Sequence, residues 1–186
     1  MRALVLGLCV ACAAAGAQTR EVDRSNSSVT VQVHKSGLFS AFGHEHTIVA
    51  PVASGSFDPE QRTVRLTFRV SDMKVADKDA SDSDRAEVDR TMKSDKVLDV
   101  ERYPEISFVS SSVESSGTNR FLVKGNLTLH GAMHAIEFPV QLEDGRYSGS
   151  VRVKQTDFGM TPVRVGGGTV KVKDEVDINF TVAPEK

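Results

Sequence analysis

The sequence predicts an all-β fold of about eight antiparallel strands, arranged as a barrel or a sandwich. Short segments alternate between apolar and polar residues, which is typical of strands with one buried face. Turns rich in glycine, asparagine and aspartate separate these segments. Amphipathic helices do not alternate with the strands, so the pattern excludes a parallel α/β sheet. The length of 186 residues suits a single domain of this kind.

The strands nearest the N-terminus alternate most clearly. Residues 28–35 (SVTVQVHK) place three valines on one face and polar side chains on the other. Residues 63–70 (TVRLTFRV) repeat the pattern, with Leu66 and Phe68 on the apolar face. Between them, residues 47–57 predict a weaker strand, at an edge or with a bulge, because a proline and a glycine interrupt it.

A hairpin is predicted in the middle of the chain. Residues 125–140 (GNLTLHGAMHAIEFPV) contain two alternating runs, joined by the glycine that a tight reversal needs. Asp144 and Gly145 predict a second tight turn, of type I′. A charged stretch predicts a short helix over residues 84–92. The remaining strands are predicted at residues 105–113, 120–130, 135–143, 146–155 and 170–182.

The N-terminus has the pattern of a secretory signal peptide, predicted to cover residues 1–17. A short apolar run ends in a small-residue cleavage motif, and this run is too short for an integral membrane span. Acylation at Cys12 is the alternative, disfavoured because the residues before it lack the usual leucine. Cleavage predicts a single periplasmic domain of residues 18–186. That domain contains no cysteine, since Cys9 also lies in the leader.

Composition and motifs exclude several classes of function. The formal net charge is −2, and no basic stripe is present, so nucleic acid is not a predicted partner. The sequence contains no nucleophile elbow and no recognisable catalytic carboxylate pair, so neither enzymatic activity nor a cofactor is predicted. Formation of a homodimer is left open.

Several sequence blocks, in one order along the chain, carry a family resemblance. They are residues 28–34 (SVTVQVH), 55–59 (GSFDP), 99–108 (DVERYPEISF), 125–131 (GNLTLHG), 156–160 (TDFGM) and 174–176 (DEV). Through these blocks the chain resembles the YceI-like family of bacterial periplasmic proteins. The resemblance implies that the eight predicted strands form an antiparallel lipocalin-like barrel with a short helical segment. It also implies that the ligand is a polyisoprenoid-type lipid.

The resemblance therefore implies a carrier that encloses a long isoprenoid-type lipid or another apolar small molecule. Burial would hold such a ligand, because each methylene removed from water contributes about 0.8 kcal/mol. The histidines His34, His44, His46 and His130 are candidates for selecting a head group at the rim. For the apolar residues, packing in a solid core is the alternative. The predicted ligand-binding residues are Val31, Val33, His34, Leu66, Phe68, Phe108, Leu129, His130, Phe138, Val140, Ile178 and Phe180.

Two histidine pairs leave a second function open, that of a periplasmic metal-binding or stress-response protein. His44 and His46 are two residues apart, so on a strand they would share a face and could ligate one metal ion. A catalytic zinc site normally has three protein ligands, so a third would have to come from His130 or His134. Hydrogen bonding at strand ends is the other interpretation of these histidines.

Overall fold

A computed structural model describes residues 19–36, 45–165 and 170–186 of the chain. The predicted leader and residues 37–44, which include His44, lie outside the described residues. The described residues form twelve strands and one α-helix. In chain order these are β1 (Arg20–Glu21), β2 (Ser28–Ser36), β3 (His46–Val49), β4 (Val52–Asp58), β5 (Thr63–Arg69), β6 (Lys74–Val75), α1 (Asp82–Lys93), β7 (Glu105–Gly117), β8 (Arg120–Leu129), β9 (Ala132–Glu143), β10 (Arg146–Lys154), β11 (Arg164–Val165) and β12 (Val170–Val182).

The strands form one antiparallel sheet that curls on itself. Its order is β1-β4-β5-β7-β8-β9-β10-β12-β2-β3-β6, with β11 beside β12. Only Ala50 and Pro51 separate β3 from β4, yet these two strands lie near opposite ends of that order. The sheet must therefore bend round until its ends meet. A bridge between Val22, which follows β1, and Pro184, which follows β12, also joins the two sides of the closure.

The prediction of an all-β barrel is confirmed, but the prediction of eight strands needs correction. The predicted strand at residues 47–57 is two strands, because Pro51 lacks the N–H that a continuous ladder requires. β1, β6 and β11 have two residues each, which is too short for alternation to reveal them. Eight strands form the wall when β3 and β4 are counted as one bent strand and these three short strands are set aside.

The two ends of the barrel differ. The hairpins between β4 and β5, β7 and β8, and β9 and β10 lie together at one end, here called the hairpin end, with β1 beside them. The hairpin between β8 and β9, the segment after β10 and the long connection that contains α1 lie at the other end, here called the helix end. This polarity determines which residues can reach each opening of the barrel.

Helix α1 begins and ends where its sequence favours it. The Oγ of Ser81 accepts a hydrogen bond of 3.1 Å from the N–H of Asp84, which caps the first turn. The helix therefore starts at Asp82, slightly before the predicted segment. Acidic residues occupy its first turn and basic residues its last turn, as the helix dipole favours. Met92 is its buried residue and faces the barrel.

Both predicted tight turns are present at the ends of β9. His130 and Gly131 connect β8 to β9 with φ values of 51° and 75°. Asp144 and Gly145 connect β9 to β10 with φ values of 49° and 75°. Positive φ at both central residues is the geometry of a type I′ turn, whose twist matches that of the strands it joins. These turns fix the register of three neighbouring strands.

Two glycines in the wall leave room for aromatic rings that face the interior. A Cβ on Gly125 would lie 2.5 Å from Cζ of Phe108, and one on Gly149 would lie 2.7 Å from Cζ of Phe180. Such distances are well inside van der Waals contact, so neither position has space for a side chain. The two rings therefore lie directly against the backbone of the wall.

Replacing Gly125 with alanine is expected to lower the free energy of unfolding by about 1–3 kcal/mol, the usual cost of overpacking. The new methyl group would overlap both the ring of Phe108 and the carbonyl oxygen of Val109. Urea unfolding followed by circular dichroism measures the change. Asn126→Ala, at the exposed neighbouring position, is the control and should change stability by less than about 0.5 kcal/mol. Equal stability of the two variants would contradict the expectation.

Candidate functional site

The barrel encloses a cavity of about 570 Å³. Its lining extends from Arg20 and Arg62 at the hairpin end to Met92 and Leu98 at the helix end. The volume lies within the range of about 300–1,000 Å³ that is usual for small-molecule sites. Most of the lining residues are aliphatic or aromatic, so the cavity suits an apolar ligand.

Alternation along the strands explains this lining. In the register of β2, β12 and β10, Val31 lies opposite Ile178, and Ile178 lies opposite Val151. All three residues line the cavity, while the polar residues between them face the other side of the wall. Ten of the twelve predicted ligand-binding residues line the cavity: Val31, Val33, Leu66, Phe68, Phe108, Leu129, Phe138, Val140, Ile178 and Phe180.

The aromatic side chains of the lining form two clusters. In the middle of the barrel, the ring centroid of Phe138 lies 5.5 Å from that of Phe108 and 5.3 Å from that of Phe180. Towards the hairpin end, Tyr147 stacks on Phe57 at 5.6 Å. These separations are those of favourable ring pairs, which hold the side chains in place around the cavity.

The other two predicted ligand-binding residues do not line the cavity. His34 lies on the outer face of the wall, because it follows the inward-facing Val33 on an alternating strand. His130 lies in the turn between β8 and β9, where its ring centroid is 4.5 Å from that of Tyr103. Its Nδ1 is 3.2 Å from the carbonyl oxygen of Phe158.

Other lining residues were not predicted. Polar residues at the hairpin end, Arg20, Asp58 and Arg62, form the mouth of the cavity. They lie in or beside short strands and turns, where no periodic pattern identifies them. At the helix end, Gln155 is buried, and its Nε2 donates a hydrogen bond of 2.8 Å to the carbonyl oxygen of Lys173. Unpredicted residues such as Val29, Val64 and Val123 share strand faces with predicted ones, so alternation could have found them. Met92, Val97 and Leu98 lie on α1 or in the loop after it, where strand alternation gives no signal.

The metal-binding alternative receives no support from the described residues. Within residues 19–36, 45–165 and 170–186, no group of three or more histidine, cysteine, aspartate or glutamate side chains could hold a metal ion. The Nδ1 of His46 is 2.7 Å from Oδ2 of the buried Asp77, whose Oδ1 accepts a hydrogen bond from the N–H of Thr47. His44 lies outside the described residues, so the pair that it forms with His46 stays a prediction.

A charged cluster on the outer face has His34 at its centre. The Nε2 of His34 is 2.9 Å from Oδ2 of Asp177, and its Nδ1 is 3.3 Å from Oε1 of Glu45. Arg152 donates through Nε to Oδ1 of Asp177 at 2.6 Å. Arg152, and then His34, lower the pKa of Asp177 to about 2. The carboxylate of Asp177, with Glu45 as a second partner, raises the pKa of His34 above its ordinary value.

An antiparallel barrel around an apolar cavity defines a small-molecule-binding protein of the lipocalin-like class. The sequence model of the YceI-like domain matches residues 21–183. The chain therefore belongs to the YceI-like family, a family of binding proteins, as the sequence blocks predicted. No helix of the described segments is both long and apolar enough to cross a membrane.

Curated relatives agree with this family. A UPF0312 protein of Pseudomonas savastanoi pv. phaseolicola is 32% identical over 111 residues, which are 54% of this chain and 56% of the relative. A UPF0312 protein of Shewanella sp. (strain MR-7) is 29% identical over 133 residues, which are 70% of this chain and 65% of the relative. The chain thus spans little more than half the length of the first of these relatives.

Solved structures support the fold. Burkholderia cenocepacia BcnA superposes with a TM-score of 0.62 at 23% identity, covering 87% of this chain and 98% of BcnA. The Campylobacter jejuni YceI protein superposes with a TM-score of 0.53 at 18% identity, covering 75% of this chain and 81% of that chain. At these identities the similarity concerns the barrel alone.

The His34–Asp177 pair predicts a pH dependence of stability. Because the folded pKa of His34 is raised, the pair stabilises the fold fully below about pH 6.5, the ordinary value of histidine. This contribution is lost as the pH rises through the raised pKa. In the His34→Gln variant, the free energy of unfolding is therefore expected to fall less than in the wild type as the pH rises above about 6.5. Urea titrations at constant ionic strength measure this fall.

A matched histidine variant tests the assignment. His134→Gln leaves the His34–Asp177 pair in place and should retain the wild-type decline in stability with rising pH. The assignment is wrong if His34→Gln and the wild type show the same pH dependence.

Proposed function

We propose that this protein is a periplasmic carrier that sequesters a long isoprenoid-type lipid in its barrel. The observation that carries the proposal is the apolar cavity of about 570 Å³, which extends from one end of the barrel to the other. A ligand that fills such a space must be elongated and largely without charge. An isoprenoid chain has both properties.

Burial supplies the affinity in this proposal. At about 0.8 kcal/mol for each methylene removed from water, a few isoprene units offset the cost of immobilising the ligand. No specific polar contact is required along the chain. The ten predicted apolar residues that line the cavity are therefore proposed as ligand contacts.

The mouth at the hairpin end is proposed to hold the polar head of the ligand. Arg20 and Arg62 bring cationic side chains to the lining, and Asp58 contributes a carboxylate. The Nε of Arg20 donates a hydrogen bond of 3.0 Å to the carbonyl oxygen of Glu185, which orients its guanidinium group. Guanidinium groups favour a head that carries hydrogen-bond acceptors. This placement replaces the histidine rim that the sequence suggested.

The proposal includes the compartment and the absence of catalysis. Residues 1–17 are proposed as a leader that directs export, and residues 18–186 as the exported domain. The exported domain would fold in an oxidising compartment without disulfides, since both cysteines belong to the leader. Its role would be to bind and carry, with no catalytic step.

A cavity-filling variant tests the proposal. Ile178→Trp is expected to weaken binding of an isoprenoid quinone by at least about tenfold, because the indole ring would occupy space that the ligand needs. Native mass spectrometry with the quinone gives the bound fraction. Fluorescence titration with all-trans-retinol, an isoprenoid alcohol, gives the dissociation constant.

The neighbouring position provides the control. Asn179→Trp adds the same ring on the exposed outer face and should bind both ligands as the wild type does. The proposed function would be refuted if the wild-type protein bound neither the quinone nor retinol. Equal binding by the two tryptophan variants would refute it as well.

A further inference from the structure

The wall of the barrel has a place where two neighbouring strands are not paired. β9 and β10 are paired from their shared turn only as far as Val140 and Gly149. Beyond this point β9 continues beside β8 to Ala132, and β10 continues beside β12 to Lys154. Among the described residues, no backbone pairing joins β9 to β10 over these distal halves.

The sequence explains why the pairing stops there. Pro139, next to Val140 on β9, has no N–H and cannot donate to a neighbouring strand. Its carbonyl oxygen lies towards β10, since a Cβ on Gly149 would meet it at 2.5 Å. The last backbone pair, Val140–Gly149, thus depends on a glycine that permits close approach. Pro139, the next residue of β9 towards the helix end, ends the ladder.

The separation is closed again at the helix end. Phe158, in the turn that follows β10, is only 1% exposed. Its ring packs edge-on against that of His134 on β9, with the centroids 5.0 Å apart. The unpaired stretch is therefore a window in the wall, bounded by the Val140–Gly149 pair at one end and by Phe158 at the other.

Three aliphatic side chains lie at this window. Ile136 on β9, with Val151 and Val153 on β10, line the central cavity. The same three residues also line a groove on the outer surface, whose rim includes the charged residues Glu137 and Arg152. The cavity and the outer surface therefore share lining residues at this window.

Opening the barrel at the window does not require breaking a backbone ladder. Separating fully paired strands, in contrast, breaks several backbone hydrogen bonds. Between the distal halves of β9 and β10 no such bonds exist to be broken. A passage from the cavity to the surface at this place would run between Ile136, Val151 and Val153, which line both.

We propose that the window between β9 and β10 is a lateral portal through which the apolar chain of the ligand enters and leaves the cavity. This inference rests on the proposed function. The aliphatic lining accepts a hydrocarbon chain, and the charged rim keeps the outer groove hydrated while the portal is closed.

Site-specific blocking tests the portal. A long polyethylene glycol maleimide is attached to Ala135→Cys, an exposed position at the window, in a chain with Cys9→Ser and Cys12→Ser. Stopped-flow fluorescence with all-trans-retinol measures the association and dissociation rates. Blocking the route should slow both rates by about tenfold or more and leave Kd unchanged, because a route affects passage in both directions equally.

Two further labelled variants make the test specific. Asn126→Cys, the cross-strand partner of Ala135 on the paired β8, should bind and release retinol at the wild-type rates after labelling. Arg62→Cys places the same polymer at the mouth. Unchanged rates with polymer at position 135, or slowing only with polymer at position 62, would overturn the portal. Failure of the unlabelled protein to bind retinol would instead overturn the proposed function.

Discussion

Closure of the hydrogen-bond ladder by one bent strand is the constraint on which the rest of the structure depends. β3 pairs with β2, and β4 pairs with β5, so a single stretch of chain joins the two ends of the sheet. A closed wall satisfies the backbone groups that an open sheet would leave at its edges. It also gives every long strand an inner face and an outer face. The cavity, the ring clusters and the mouth exist only because that closure creates an interior.

The interior stays hollow because aromatic side chains are held against the wall. Gly125 and Gly149 provide flat surfaces on which the rings of Phe108 and Phe180 lie. The contacts of Phe138 with both rings then fix their orientation. A barrel of eight wall strands is narrow enough to be filled by its own side chains. Placing rings over glycines keeps bulky apolar groups in the lining while leaving space along the axis.

The sequence was informative wherever alternation persisted over several residues. It located the long strands and ten residues that line the cavity, because one period determines both the strand and the face. Glycines marked both tight turns, of which only Asp144–Gly145 was predicted as type I′. The sequence placed His34 among the ligand contacts, although the alternation that places Val33 inside places His34 outside. It missed Arg20 and Arg62, since the positions of residues near turns depend on how distant segments meet. The break at Pro51 was predicted as an interruption, but its role in joining the sheet ends depends on tertiary pairing that local pattern does not encode.

Unpaired strand edges within the barrel wall can also promote unwanted association between copies of the chain. Free N–H and C=O groups can template pairing with a strand from another molecule, which is a common origin of aggregation. Along β9 and β10 this tendency is opposed by the proline at 139, which interrupts any added ladder, and by the charges of Arg152 and Lys154 on the solvent side. The turn that carries Phe158 further shortens the accessible margin. Pro139, which ends the pairing of β9 with β10, thus also limits the pairing that this margin can offer to another chain.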